Sequence, residues 1–371
     1  LSYRNVRYDG LERVPQNGAV IYAPNHTNAL MDALVILAMD RKPKVFVARA
    51  DIFKNPTLAK IFHFLKIMPI MRMRDGIDEV KKNNETISKA VDVLRDRVPF
   101  CIFPEGTHQA KYSSLPLSKG IFRIAFQAQE LMPDMPLYIV PVGIRYGSFF
   151  RFRSTVRVQI GEPINIGSFI TENSEQTTAE QMNVMKDVLA ERMMSSIFYI
   201  PNDENYDATY EICAAAVKQQ VKSFEYDANG KRNNPLDAHF VANRATANKI
   251  LELKEQNPAK AEQLLKLGRE ASTMRRAQRI SLASVSIKYP ILSRILKTLI
   301  FIVALPYMIP VSILYLPIKL LCMFLFTKLK DYAFRNSIRF LVNLVLWPIM
   351  MIIYSIIASS ALPFPEKPRL M

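Results

Sequence analysis

Two long stretches near the C-terminus carry no charge, and no other feature constrains the chain as much. Residues 298–318 read TLIFIVALPYMIPVSILYLPI, 21 positions without a charge, and residues 340–362 read FLVNLVLWPIMMIIYSIIASSAL, another 23. Crossing the hydrocarbon core of a bilayer takes about 20 apolar residues, so each run is long enough. Pro306, Pro310 and Pro317 break up the first run as a regular helix. The connecting segment carries Lys319, Lys328, Lys330, Arg335 and Arg339, and both outer flanks are basic too, so charge bias selects no orientation. Basic flanks on every side tip the balance toward a hairpin dipping into one leaflet over two clean spans. Two buried core helices of a soluble protein are the competing reading, and the run lengths argue against it. Residues 291–371 are therefore expected to anchor the chain to a membrane.

The segment leading into these runs is strongly basic. From Lys266 to Lys297 eight basic residues face one acidic residue, Glu270. Taken alone, such a run is a solvated helical face. Feeding an apolar anchor, it suits an anionic membrane surface, at about 1 kcal/mol per Lys or Arg near the headgroups. The whole chain of 371 residues has a formal charge of +16, which favours anionic partners such as phospholipid headgroups or phosphorylated metabolites. Nucleic acid would suit the charge, but zinc-finger, RRM and KH signatures are absent and the apolar tail would go unexplained. Residues 171–290 form a polar, mostly helical region with this basic end. Cys101, Cys213 and Cys322 are an odd number without motif spacing, which argues against a disulfide framework and fits a reducing compartment. The chain opens on Leu1 rather than Met, as expected of a start that was processed, trimmed or left out, and its first thirty residues have no signal-peptide pattern.

Residues 1–170 read differently. Short apolar runs at 19–25, 43–49, 99–106, 137–146 and 156–164 predict strands. Helical spacing fills 28–40, 76–97 and 119–131 between them. This alternation predicts an α/β domain with a mixed, largely parallel sheet flanked by helices. Ligands of such sheets collect beyond the strand ends, where these strands stop at PNH, ARAD, FPEG and PVGIR.

The chemistry-bearing residues cluster there. His26 and Asp32 are six residues apart, and on one regular helix they would lie some 120° from facing each other, at about 100° per step. They can pair only if His26 precedes the helix. Asn28 or Thr27 supplies an N-cap for that start, and Asp32 then falls in the first turns, where a carboxylate suits the helix dipole. Glu105, in FPEGTH, is expected at a strand end, with Pro104 and Gly106 fixing the turn. Arg72 and Arg74, after the apolar IMPIM, have the forked geometry for phosphate, although a solvated surface pair is the plainer reading. Lys119 stands at a helix start, where an anion is welcome. His63 and His239 read as packing or surface residues, and KIFHFLKIMPIM (60–71) reads as core with an acyl tunnel as the alternative. No Cys/His cluster has zinc spacing, the eleven glycines form neither a GxGxxG nor a P-loop, and there is no GxSxG elbow.

In order, the blocks NHTNALMD, PIMR, FPEGT and IVPVGI resemble those of the glycerolipid acyltransferase family typified by bacterial 1-acyl-glycerol-3-phosphate acyltransferase. All four fall within residues 25–144, and the resemblance covers roughly 1–165. It implies that His26 is the general base and Asp32 its orienting carboxylate. It implies further that Arg72 binds the acceptor's phosphate, that Glu105, Gly106 and Thr107 shape that pocket, that Lys119 assists, and that Pro141 is structural near the acyl donor. Transfer of a fatty acyl group from acyl-CoA or acyl carrier protein to a glycerol-phosphate hydroxyl follows, in phospholipid synthesis, with no metal or other cofactor. The catalytic domain is expected at the membrane, facing the cytoplasm.

Two departures from the usual pattern bear on the acceptor. Five residues rather than four separate His26 from Asp32, and His108 replaces the Arg that usually follows FPEGT. Both resemble the branch that acylates glycerol 3-phosphate or dihydroxyacetone phosphate. Glycerol 3-phosphate, 1-acyl-glycerol 3-phosphate and another lyso-lipid or aminolipid acceptor therefore all remain open. A membrane-tethered lipid-binding protein that kept the fold without the chemistry is the reading of another class.

Overall fold

The computed structural model describes residues 3–54, 56–70, 83–226, 230, 232–282, 289–329 and 331–361. Among them one sheet is assembled from β1 (Tyr3–Asp9), β2 (Ala19–Pro24), β3 (Val45–Arg49), β4 (Ile67–Ile70), β5 (Phe100–Cys101), β6 (Leu137–Tyr146), β7 (Ser154–Ile160) and β8 (Ile164–Asn165). Its order is β1-β7-β6-β2-β5-β3-β4, with β8 also paired to β6. The five strands from β6 to β4 run parallel, while β7 and β8 run antiparallel to β6 and β1 runs parallel to β7. The sheet is thus mixed and largely parallel, as its sequence pattern predicts.

Helices cover both faces, and the strands divide their side chains accordingly. Along β2, Ala19, Ile21 and Ala23 enter one core cluster with Phe100, Phe122 and Leu137. Val20 and Tyr22 enter the other with Ile36, Val140 and Tyr146. A strand buried on both sides has no polar face to show, which is why β2 and β6 read as nearly continuous apolar runs.

The structure departs from the predicted strands in three places. The run at 99–106 pairs only at Phe100–Cys101, so Glu105 lies in the loop beyond the strand rather than at its end. Ile102 still donates to the Tyr22 carbonyl at 3.1 Å, but Pro104 has no N–H to extend the ladder. The run at 156–164 breaks into β7 and β8, and the break faces Pro141, which lacks the N–H a continuous partner would need. Gly161 nevertheless donates to the Pro141 carbonyl at 2.9 Å. Finally, β1 and β4 are strands that the pattern does not predict: β1 is mostly exposed and has no apolar run, and β4, although apolar, is four residues long and contains Pro69.

The helical segments are α1 (Leu30–Leu37), α2 (Pro56–Phe64), α3 (Asn83–Arg95) and α4 (Gly120–Leu131). The N-terminal part of the predicted helix at 76–97 lies outside the described residues. The polar region is helical as expected. After the short α5 (Ile166–Glu172) come α6 (Thr178–Ser196), α7 (Tyr206–Ser223), α8 (Pro235–Gln256) and α9 (Pro258–Ala277). Their starts are written locally: Thr177 and Glu180 form a capping box, and Asn234 and Asn257 each cap a helix that opens on proline. Ala208, Cys213, Phe240, Ile250 and Leu265 form a core there that also includes Tyr112, Phe198 and Ile200.

By contacts the chain divides into two compact units, one of Tyr3–Thr27 and Asp32–Ser286 and the other of Asn28–Met31 and Ile287–Met371. The second unit holds two long helices, Pro290–Thr327 and Phe334–Ala361. The first runs unbroken through Pro306, Pro310 and Pro317, contrary to the interruption expected of them. Apolar helices outside water accommodate proline by local adjustment. The two pair with each other: the Tyr354 hydroxyl donates to the Leu314 carbonyl at 2.7 Å, and the rings of Tyr315 and Trp347 lie 5.8 Å apart edge to face. Their most apolar windows are entirely unburied, unlike core helices of a soluble protein.

Candidate active site

His26 follows β2 by two residues and precedes α1, so its side chain sits at the C-terminal edge of the sheet. The helix begins at Leu30, later than a cap at Thr27 or Asn28 would start it, and Asp32 falls in its first turn. Between them Ala29 takes a left-handed conformation, φ 47°, which turns the chain back on itself. For a residue with a Cβ this conformation costs about 1–2 kcal/mol, a strain held at the centre of the site.

The turn brings His26 Nδ1 to 2.8 Å from Asp32 Oδ2. Facing a carboxylate, Nδ1 is the nitrogen that carries hydrogen, which leaves Nε2 as the acceptor. The imidazole is 17% exposed, whereas the Asp32 side chain is fully buried. A buried carboxylate is tolerated when donors surround it. Here Oδ2 also accepts the Thr27 amide at 2.7 Å, and Oδ1 accepts the Tyr146 hydroxyl at 2.6 Å. Phe103 stacks on the imidazole at 4.1 Å, and the His108 ring stands against its edge at 5.3 Å.

Glu105 lies in the same crevice under opposite conditions. Both of its oxygens are buried without a well-aligned hydrogen-bond partner. Burial pushes its pKa up from 4.5 to about 8, opposed by the nearby amides of Leu115 and His26 and the hydroxyl of Ser114, while the charge of Asp32 adds to the rise. It is a carboxyl that keeps its proton near neutrality, which by itself is a frequent mark of a ligand site. The loop carrying it is pinned on several sides. Gln109 donates to the His26 carbonyl at 3.2 Å and Ser118 to the Pro104 carbonyl at 2.7 Å. Further along, Ile200 donates to the Tyr112 carbonyl at 2.7 Å, and Tyr112 donates its amide to the Tyr206 hydroxyl at 2.9 Å. The polar helical region thereby braces the loop.

The remaining predicted residues fall out as follows. Gly106 has φ +63° and an open space where a Cβ would be, while Thr107 is exposed beside it. Lys119 is exposed at the start of α4 and makes no capping bond with its side chain. The next residue, Gly120, approaches Ile70 at the end of β4, so the two segments meet. Arg72 and Arg74 lie outside the described residues. Pro141 is within β6, in the sheet itself. Sequence reading missed Tyr146, Phe103 as a stacking partner, and Tyr3, whose hydroxyl bonds to that of Tyr146. Among the described residues, no group of three or more His, Cys, Asp or Glu side chains is arranged to hold a metal ion.

Residues 5–145, the span that contains His26, Asp32, Glu105 and Lys119, match the family model described as Acyltransferase. The chain carries an Acyltransferase-family domain. It is similar to glycerol-3-phosphate O-acyltransferase 2 of Saccharomyces cerevisiae, 25% identical over 298 residues that make up 74% of this chain and 38% of the yeast protein. It is also similar to 1-acyl-sn-glycerol-3-phosphate acyltransferase of Cocos nucifera, 24% identical over 169 residues, 45% of this chain and 50% of the coconut protein. The chain thus spans well under two thirds of these relatives' lengths. Among solved structures it is similar to the 1-acyl-sn-glycerophosphate acyltransferase PlsC of Thermotoga maritima, at 21% identity and a TM-score of 0.34, over 50% of this chain and 71% of that one. The matched span ends one residue before Tyr146, and the helical region that braces the glutamate loop lies beyond it.

Proposed function

We propose that the chain is a membrane-bound O-acyltransferase that moves a fatty acyl group from acyl-CoA or acyl carrier protein to the hydroxyl of glycerol 3-phosphate or 1-acyl-glycerol 3-phosphate. The observation that carries this reading is the 2.8 Å pairing of His26 Nδ1 with the buried Asp32 carboxylate, inside a domain of this family. Pairing commits Nδ1 and leaves Nε2 to take the acceptor's hydroxyl proton. The freed oxygen attacks the thioester carbonyl, the tetrahedral adduct collapses, the C–S bond breaks, and the imidazolium gives its proton to the departing thiolate. A thioester is already activated, so the reading needs no covalent enzyme intermediate, no metal and no cofactor beyond the acyl carrier. A base within hydrogen-bond reach of the hydroxyl contributes about 10²–10⁴-fold.

In this reading Arg72 anchors the acceptor's phosphate, with Glu105, Gly106, Thr107 and Lys119 around it. The protonated Glu105 suits that place, since a neutral carboxyl can lie near a phosphate without repelling it. The apolar hairpin would hold the catalytic domain on the cytoplasmic face of a membrane, near lipid acceptors and products. Purified protein in detergent, given a labelled long-chain acyl-CoA and each acceptor in turn, tests the proposal. Acyl transfer to one of them is expected, with kcat reduced at least a hundredfold in His26→Ala. Unchanged turnover in that variant would remove the assigned base.

A further inference from the structure

The geometry points to Tyr146 as a positioning residue, whose hydroxyl fixes the Asp32 carboxylate that in turn orients His26. This deepens the proposed function and rests on its assignment of His26 as the base. A carboxylate held through one oxygen can still rotate about its Cβ–Cγ bond. Asp32 is held through both: Oδ2 by the Thr27 amide and His26, Oδ1 by the Tyr146 hydroxyl at 2.6 Å. Its plane, and with it the aim of the imidazole, is therefore set by the tyrosine.

Tyr146 is itself held. Its side chain is fully buried, and its carbonyl accepts the Tyr112 hydroxyl at 2.7 Å. Its backbone pairs with Val156 in the neighbouring strand, and its hydroxyl meets that of Tyr3, ring centroids 5.5 Å apart. Burial pushes the phenol well above its ordinary range, so the hydroxyl keeps the proton it donates. A phenylalanine here would fill the same core volume and lack only the hydroxyl's bonds to Asp32 and Tyr3. A packing residue would have no need of the oxygen.

The test is Tyr146→Phe. Its kcat should fall about tenfold with both KM values within twofold of the parent's. ¹⁵N-histidine-labelled protein, with the His26 signal identified by its loss in His26→Ala, gives a readout that needs no substrate. The hydroxyl fixes the plane of the carboxylate that accepts the Nδ1–H of His26. Without it that N–H should show a shifted proton resonance and exchange with solvent several times faster. In an Asp32→Asn background, Tyr146→Phe should cost nothing further. A folded Tyr146→Phe with parental kcat and a parental His26 Nδ1–H resonance overturns the inference, as does a full additional loss in Asp32→Asn. If Tyr146→Phe fails to fold, Tyr3→Phe replaces it, with a smaller shift in the same direction expected and no shift overturning the inference. Activity surviving His26→Ala would overturn the proposed function instead, a result distinct from either.

Discussion

Asp32 and Glu105 are two buried carboxylates beside one imidazole, and the protein treats them in opposite ways. Asp32, at the first turn of α1, receives donors on both oxygens. Glu105, in the loop after β5, is buried with neither oxygen in a well-aligned bond, and its pKa rises to about 8. A carboxylate whose bonds are complete within the fold is part of the scaffold of the site. One buried with only poorly aligned bonds is destabilising when charged, and such a group is a common mark of a place where a ligand completes it. Under the proposed function, Asp32 orients the base and Glu105 contacts the ligand.

Removing each carboxylate should break the symmetry most visibly. Asp32→Ala strands the Tyr146 hydroxyl and the Thr27 amide in the interior, together with one imidazole N–H. At roughly 1–3 kcal/mol per orphaned buried donor, it should lower unfolding stability by about 3 kcal/mol or more. Glu105→Gln strands nothing comparable, and near pH 8 it should match or exceed the parent. Chemical denaturation of both variants at fixed pH measures the difference. Equal losses would mean that Glu105 is as fully bonded in the resting protein as Asp32.

The pH dependence of stability sharpens the same comparison. Glu105 has a folded pKa of about 8 against 4.5 for the free side chain. Between those values the folded protein holds a proton that the unfolded chain has released. Its contribution is thus fully present below pH 4.5, declines as pH rises toward 8 and levels off above. Each pKa unit corresponds to about 1.4 kcal/mol at most, so the decline should amount to a few kcal/mol. Glu105→Gln should flatten that part of the curve. A parental slope in the variant would place the titrating group elsewhere.

How much of this was legible in the sequence follows the range of each interaction. His26 and Asp32 are six residues apart, and the turn that joins them is local, so the pair could be expected from the chain alone. Tyr146 is 114 positions from Asp32 and reaches it only because β6 lies beside β2. At the end of the apolar run LYIVPVGIRY it reads as one more core residue. The same holds for the sheet: β2 and β6, buried on both faces, announce themselves, while the exposed β1 is a strand only because β7 is there to pair with it. α1 starts at Leu30 rather than at 28, where its helical spacing predicts it, because nothing in the sequence announces that Ala29 adopts φ 47°.

The smallest effect concerns the turn beside Glu105. Gly106 has φ +63°, and a Cβ built there would meet nothing within 4 Å. Gly143, in β6, is the opposite case, since its Cβ would fall 2.1 Å from the Ser196 carbonyl oxygen. Only conformation opposes a side chain at 106, so Gly106→Ala should cost about 1 kcal/mol of stability, the usual penalty for alanine in the left-handed region. The expected loss is small because the space above Gly106 is open. If acceptor occupies that space, as the proposed function has it, the added methyl should raise the acceptor KM out of proportion to the stability lost, with kcat close to the parent's. A variant that loses about 1 kcal/mol but binds acceptor as the parent does would leave the turn a purely conformational role, and ligand contact would then fall to Glu105 and the residues beyond it.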